Sequence, residues 1–470
     1  MGERDLAEFE QRLRGQHRDW LDGDAPLWLA RAPGRLDALG GVSDYTGGTV
    51  CELPLGEATR VALQPRSDRR LRLRSVGLEP HGLRPEVELD LDDLMGQGGL
   101  REYAAAREHL ARHAPTAWAA YVAGAWLALA REGFVESYRG GANVVIESDV
   151  PVGAGVSSSA ALEVATLFAL SRSLGLEIGG KRLAHLGQIV ENRVVGAPCG
   201  LMDQLTVSLG RRDALLVIRC QPDEILASRP VPAGLCLAAI HTGVKHAVGG
   251  RRYADARVAA FMGHAVILHR LRAEGVAEPG DDPFEGYLAR LKWHEFGELF
   301  QPLLPATMLG AAFLRRYGGT VDGATRVDPD CLYQVERAVT HHVRDNAYTR
   351  QFLDLLDRWE RRPQPELLAR AGRLMLASHA GYRDDLGLGA PESDLLVDLV
   401  MARGPAAGLY GARASGGGCG GSVVILGDDR LPGQLAELAA EYARRSGETP
   451  TILIGSSDGA EATGVRTVTL

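Results

Sequence analysis

Between residues 142 and 174 the chain passes from ANVVIESDV through PVGAGVSSS into AALEVATLFALSRSL. The β-branched first segment predicts a strand, and the last predicts a helix apolar on most sides and therefore buried. The loop between them is built from glycine, alanine and serine. With little side chain in the way, its backbone N–H groups can face an anion, and the positive end of the following helix points to the same place. The candidate phosphate-binding residues are Gly153, Ala154, Gly155, Val156, Ser157, Ser158 and Ser159, whose hydroxyls can add hydrogen bonds or a metal contact. Taken alone, the loop also fits a plain strand-to-helix turn. No G-x-x-x-x-G-K-[ST] occurs, and the loop lacks both a third glycine and a clean acid about 20 residues on, which disfavours P-loop and Rossmann sites.

The rest of the chain limits what that loop can serve. Its 470 residues allow two or three domains, and helical and strand-like patterns alternate without repeats, which indicates a mixed α/β or α+β enzyme. Near the C-terminus LYGARASGGGCGGSVVIL reads as two strands joined by a second glycine loop. Helix breakers and acids around 270–290 predict a surface excursion. A net charge of −8 lacks the basic footprint of nucleic-acid binding, and with only Lys181, Lys245 and Lys292 any phosphate chemistry must use few lysines. The opening MGERDLAEFEQRLRG predicts a surface helix with Leu6, Phe9 and Leu13 on one side. It has no signal-peptide core, and no apolar run approaches bilayer length, so the expectation is a cytoplasmic protein without a membrane partner. The six cysteines are dispersed, with no CxxC pair, which predicts free thiols, Cys199 and Cys419 being small fillers in glycine-bearing loops.

Pro151-x-Gly-x-Gly-Val-Ser-Ser-Ser-Ala160-Ala161 resembles the phosphate loop of the GHMP kinases, in its galactokinase form. Arg31-Ala-Pro-Gly-Arg35-Leu-Asp-Ala-Leu-Gly-Gly-Val-Ser-Asp44-Tyr45 is similar to the galactokinase signature, Pro198-Cys199-Gly200-Leu201-Met202-Asp203-Gln204 to the catalytic segment, and Gly411 to Gly421 to the third family motif. SHAGYRDDLG and SSDGA extend the likeness over nearly the whole chain. The resemblance implies an α+β, two-domain GHMP kinase fold. Its N-terminal part, 1–215, would be like ribosomal protein S5 domain 2, and its C-terminal part, 216–470, a ferredoxin-like α/β sandwich. It implies ATP and Mg²⁺ as cofactors, a free monosaccharide as acceptor, and a monomer or weak homodimer. By the same resemblance Asp203 accepts or orients the anomeric proton, Arg35 stabilises developing charge, Ser159 and Glu191 hold Mg²⁺, and Trp118 lies near the adenine. Gly41, Val42, Ser43, Asp44, Gly200 and Tyr253 form the sugar pocket.

One departure bears on the substrate. Where galactokinases carry Glu-His-Thr, this chain has Gly41-Val42-Ser43. The family's Glu reaches the exocyclic hydroxymethyl, and losing a charge-assisted partner of a buried hydroxyl costs roughly 1.5–3 kcal/mol. L-Arabinose matches D-galactose at the ring carbons and lacks that group. GRLDALGGVSDYTGG, ENRVVGAPCGLMDQL and the stretch LPATMLGAAF to DCLYQV resemble the kinase domain of L-arabinokinases more closely. Plant members carry an extra N-terminal glycosyltransferase-like region, and Asp37 stands where galactokinases have asparagine. The reading is a sugar-1-kinase acting on L-arabinose, with a galactokinase as the alternative. A non-catalytic sugar sensor is the alternative of another class, disfavoured by the uninterrupted serine loop beside Asp203 and Arg35.

Overall fold

The computed structural model describes residues 2–96, 99–221, 223–244, 250–278 and 280–470. Its larger sheet is organised by the 17-residue strand Thr49–Pro65, most of whose side chains are buried. On one edge this strand pairs antiparallel with Pro26–Leu39. On the other edge it pairs first with Ala214–Cys220 and then with Ala142–Ser148. Arg70–Ser75 adds parallel to Ala142–Ser148, followed by Glu86–Asp90, while Asp223–Pro230 extends Ala214–Cys220. The C-terminal strand Arg466–Thr469 closes the far edge on Pro26–Leu29, which completes eight strands. Pro26–Leu39 shifts register between Pro33 and Arg35 and again between Asp37 and Leu39. Such irregularities re-aim side chains out of the regular alternation, and here they flank Arg35 and Asp37.

The sheet is covered by the helix Ser158–Ser173, together with Ala119–Arg131 and Gly180–Ile189, through Leu167, Val164, Val122, Leu186 and their neighbours. The N-terminal helix Gly2–Gln16 buries Leu6, Phe9 and Leu13 against Leu27, Leu29 and Val145, as its one-sided pattern requires. A second, antiparallel sheet has the order Leu409–Ala414, Ser422–Gly427, Cys236–His241, Thr451–Ile454. Helices Pro391–Arg403 and Leu431–Ser446 bury Leu396, Val400, Leu435 and Leu438 against it. These two units match the α+β organisation expected of a GHMP kinase.

A third core is made largely from helix Arg251–Ala273, the first half of Val335–Arg361 and apolar residues between Ala277 and Phe313, with Tyr382 from Pro365–Asp384. Val42 and Tyr45 belong to it, so the signature segment is packed against these helices. The 270–290 stretch differs from a simple surface excursion: Ala277, Phe284 and Leu288 are buried in this core, because apolar residues scattered among acids carry no readable period. The expected boundary at 215/216 falls inside Ala214–Cys220, and that sheet runs on to Pro230. All six cysteines are unpaired. Among the described residues no helix is long and apolar enough to cross a membrane.

Candidate active site

The strand Ala142–Ser148 delivers the chain to a loop in which Gly153, Gly155 and Ser157 take left-handed φ values of 71°, 70° and 64°. Left-handed residues at every second position turn neighbouring N–H groups toward one side, the geometry of an anion-binding nest. A serine held left-handed is strained, and such strain gathers at functional sites. Ala154 and Val156 are buried and contribute backbone: the Ala154 carbonyl accepts from Ser422 Oγ at 2.8 Å, and the Val156 carbonyl from the Arg35 N–H at 3.1 Å. The second glycine loop is bound to the first: Ser422, just beyond its end, holds the Ala154 carbonyl, and Gly417 lines a cavity with the first loop.

Asp203 lies in the first turn of the helix Met202–Leu209, where the dipole favours a carboxylate. Arg35 donates from Nε and Nη2 to Asp203 Oδ1 at 2.9 and 2.7 Å, and from Nη1 to the Gly155 carbonyl at 2.7 Å. One guanidinium therefore ties the candidate base to the phosphate loop. Burial by itself would lower the Arg35 pKa, but the charges of Asp203, Glu52 and Asp37 raise it overall. Glu52 comes within 3.3 Å of Arg35 Nε in a fully buried position. Burial, and then the charge of Asp37, push its carboxyl well above the usual range.

Two cavities meet at this point. A cavity of about 610 Å³ is lined by Trp118, Tyr121, Leu78 and Leu83 at one end and by Gly153, Ser158, Ser159 and Glu191 at the other. The same Gly153, Ser158, Ser159 and Glu191 also line a tight cavity of about 70 Å³ that contains Arg35, Asp203, Asp44 and Tyr253. Trp118 is fixed by its indole N–H, which donates to the Arg84 carbonyl at 2.8 Å. Glu191 sits in the π-helical turn Val190–Val195 that follows Gly180–Ile189. Ser159 and Gln204 hydrogen-bond its carboxylate, the latter at 2.6 Å, yet burial first and the Asp203 charge second push its pKa up to about 7.

In the small cavity Gly200 and Asp44 are in close apposition. A Cβ on Gly200 would lie 1.8 Å from Asp44 Oδ2, so only glycine fits. Asp44 Oδ1 has no protein hydrogen-bond partner. Burial, then repulsion from Asp203, push the Asp44 pKa up to about 7, against the pull of Arg257. Tyr253 stands edge-on to Tyr45, with ring centroids 5.9 Å apart. Gly41 and Val42 line the cavity, whereas Ser43 turns its hydroxyl away to His342 Nδ1 at 3.3 Å. That His342 ring is held neutral, its pKa pushed down to about 3 by burial and then by Arg257.

Several supporting residues were not singled out from sequence. Arg257 forms a buried pair with Asp322 at 2.8 Å, donates to the carbonyls of Pro198 and Cys199, and lies over the Tyr45 ring at 4.9 Å. Its position four residues after Tyr253, on the same helix face, was the available signal; Asp322, in an irregular loop, offered none. Glu163 is fully buried and accepts from Gln204 at 3.1 Å behind Glu191. The SSDGA segment lies away from the site, where Ser457 donates to the Leu55 carbonyl and accepts from Arg31. Part of the segment preceding Tyr253, residues 245–249, lies outside the described residues.

The donors present suit Mg²⁺. Ser159 and Glu191 offer hard oxygens where the cavities join, and among the described residues no group of three or more His, Cys, Asp or Glu forms a closed protein cage. Mg²⁺ is commonly held in this way, by one or two carboxylates with water and substrate phosphate completing the shell.

Residues 120–211 match the family described as GHMP kinases N terminal domain. An L-arabinokinase of Arabidopsis thaliana is 34% identical over 96% of this chain, although the chain spans only 47% of that protein's length. A galactokinase of Chloroflexus aggregans is 34% identical over 91% of both chains. Among solved structures, Lactococcus lactis galactokinase complexed with galactose superimposes with a TM-score of 0.73 over 98% of this chain and 100% of that one, at 20% identity, which speaks to the fold. The motifs, their convergence on one pair of joined cavities, and these relatives agree: the chain belongs to the GHMP kinases, in the sugar-kinase branch that holds the galactokinases and L-arabinokinases.

Proposed function

We propose that this protein is an ATP-dependent sugar-1-kinase that phosphorylates the anomeric hydroxyl of L-arabinose. The observation that carries the reading is the shared wall: a roomy cavity and a tight one meet at Gly153, Ser158, Ser159 and Glu191, and the Arg35–Asp203 pair lines the tight side. Phosphoryl transfer is catalysed mainly by positioning and charge stabilisation. The anomeric oxygen bonds to the γ-phosphorus while the bond from that phosphorus to the β–γ bridging oxygen breaks. Asp203 accepts or orients the hydroxyl proton as this happens, and Arg35 supplies fixed positive charge. The loop N–H groups cradle phosphate oxygens, and the wall around Trp118 receives the base. Ser159 and Glu191 would hold Mg²⁺, which supplies charge neutralisation on the triphosphate.

Asp44, with one carboxylate oxygen free, can accept from ring hydroxyls, and Tyr253 and Gly200 bound the same space. The preference for a pentose is supported by what positions 41–43 present: no side chain from Gly41, an apolar one from Val42, and a serine hydroxyl engaged elsewhere. D-Galactose is the second reading, favoured by the galactokinase that aligns over 91% of both chains. A coupled ADP-release assay with Mg-ATP separates them, comparing kcat/KM for L-arabinose, D-galactose, D-glucuronate and D-fucose. Arabinose is expected to win. Galactose ahead of arabinose would reject the pentose, and ligand-induced stabilisation without ADP release would reject the kinase in favour of a sensor.

A further inference from the structure

Gly41 does not need to be glycine on account of its backbone, because its φ lies outside the left-handed region. Space is what excludes a side chain there: a Cβ would lie 2.1 Å from Asp37 Oδ2 and 2.5 Å from Asp37 Cγ. The Asp37 carboxylate has little freedom to yield. Arg413 Nη1 donates to Oδ2 at 2.8 Å, the Gly416 N–H to Oδ2 at 3.1 Å, and the Gly41 N–H to Oδ1 at 3.1 Å. Asp37 and Arg413 are both fully buried. Removing either partner of such a pair leaves an uncompensated charge in the interior.

The clamp reaches further along the same wall. The Val42 N–H donates to the Tyr382 hydroxyl at 3.0 Å, and that hydroxyl donates to the Gly416 carbonyl at 2.8 Å. Gly41, Val42 and Gly417 all line the 70 Å³ cavity, whereas Asp37 does not. The carboxylate thus lies one layer behind the wall, bonded to the signature segment on one side and to the second glycine loop on the other.

We propose that Asp37 is a specificity-determining positioning residue for the sugar: clamped by Arg413, its carboxylate fills the room that any side chain at position 41 would need and holds the Gly41–Val42 wall in one place. A wall backed by a buried ion pair cannot move outward, so in a cavity this small it discriminates against an added substituent on the ring carbon facing it. The inference rests on reading this cavity as the sugar site. It also means that introducing an acid at 41 alone would displace Asp37 rather than simply add a contact.

The test compares Gly41→Ala, Asp37→Ser and the double variant in steady-state kinetics with L-arabinose, D-galactose and ATP. Gly41→Ala is expected to raise the sugar KM by about tenfold or more while ATP KM stays within about twofold. With Asp37→Ser the room is vacated, so adding Gly41→Ala should then cost no more than about twofold. Asp37→Ser by itself should cut the arabinose-to-galactose ratio of kcat/KM about fivefold. An equal penalty for Gly41→Ala in both backgrounds, or an unchanged sugar KM, overturns the proposal. If the Asp37 variants do not fold, Gly41→Ala alone decides: thermal stabilisation by sugar should be lost while stabilisation by ADP is retained, and retention of both overturns it. A wild type that prefers galactose rejects the pentose reading, and the same non-additivity in galactose KM still decides the role of Asp37.

Discussion

The two joined cavities share part of a wall and are otherwise opposites. The large one has an apolar end formed by Trp118, Tyr121, Leu78 and Leu83. The small one gathers Arg35, Asp44, Asp203 and Glu191 in under an eighth of the volume, all but Asp203 almost wholly buried. The difference teaches where discrimination is built. On the proposed reading, a nucleotide in the large cavity would be recognised by shape and a cradle of N–H groups, whereas a sugar in the small one would be read by charges whose burial raises the energetic stakes of every contact.

The sharpest way to break this contrast is Asp203→Asn. Loss of a positioned general base costs on the order of 10²–10⁴ in rate. Turnover should collapse by that order while ATP affinity, measured by calorimetry, is unchanged; near-normal turnover would remove Asp203 from its role. Arg35→Met should follow with a loss of about 10²–10³ in kcat. A fall in melting temperature should accompany it, since the Gly155 carbonyl and Asp203 lose their donor. If ATP KM alone changed, the charge would belong to the nucleotide side instead.

Glu191→Gln probes the junction, and the Mg²⁺ concentration for half-maximal activity should rise about tenfold with sugar KM nearly constant. Asp44→Asn should weaken sugar binding and at the same time stabilise the protein at pH 8. The folded Asp44 pKa, near 7, exceeds the unfolded value of about 3.9. Its contribution to stability is therefore full below pH of about 4 and is lost as pH climbs through 7. The variant's advantage over wild type, read by denaturant melts, should shrink toward pH 4. In wild type the sugar KM should rise as pH falls below 7. The smallest effect should be Trp118→Phe, which gives up the indole hydrogen bond to the Arg84 carbonyl: about 1 kcal/mol of stability should be lost in denaturant melts, with ATP KM rising no more than about fivefold.

Legibility in the sequence followed local pattern. The strand, loop and helix over 142–174 and the one-sided N-terminal helix were readable because each rests on neighbours within a few residues. The inward turn of Ala154 and Val156, the engagement of Ser43 by His342, and the burial within 270–290 were not. Each is set by a partner distant in the chain, and no periodicity records such a partner.

The sequence by itself determined the chemistry on offer: a loop of glycine and serine able to face an anion, Arg35 and Asp203 in motifs that resemble those of the family, and Gly41-Val42 where galactokinases carry an acid and an imidazole. Only the tertiary structure decided how these are used. It joined Arg35 to Asp203 across 168 residues and placed Asp37 in the room beside Gly41, with Arg413, 376 residues on, to hold it there. Side-chain identity is a local property, whereas burial, charge pairing and excluded space belong to contacts between segments that only the packed chain brings together.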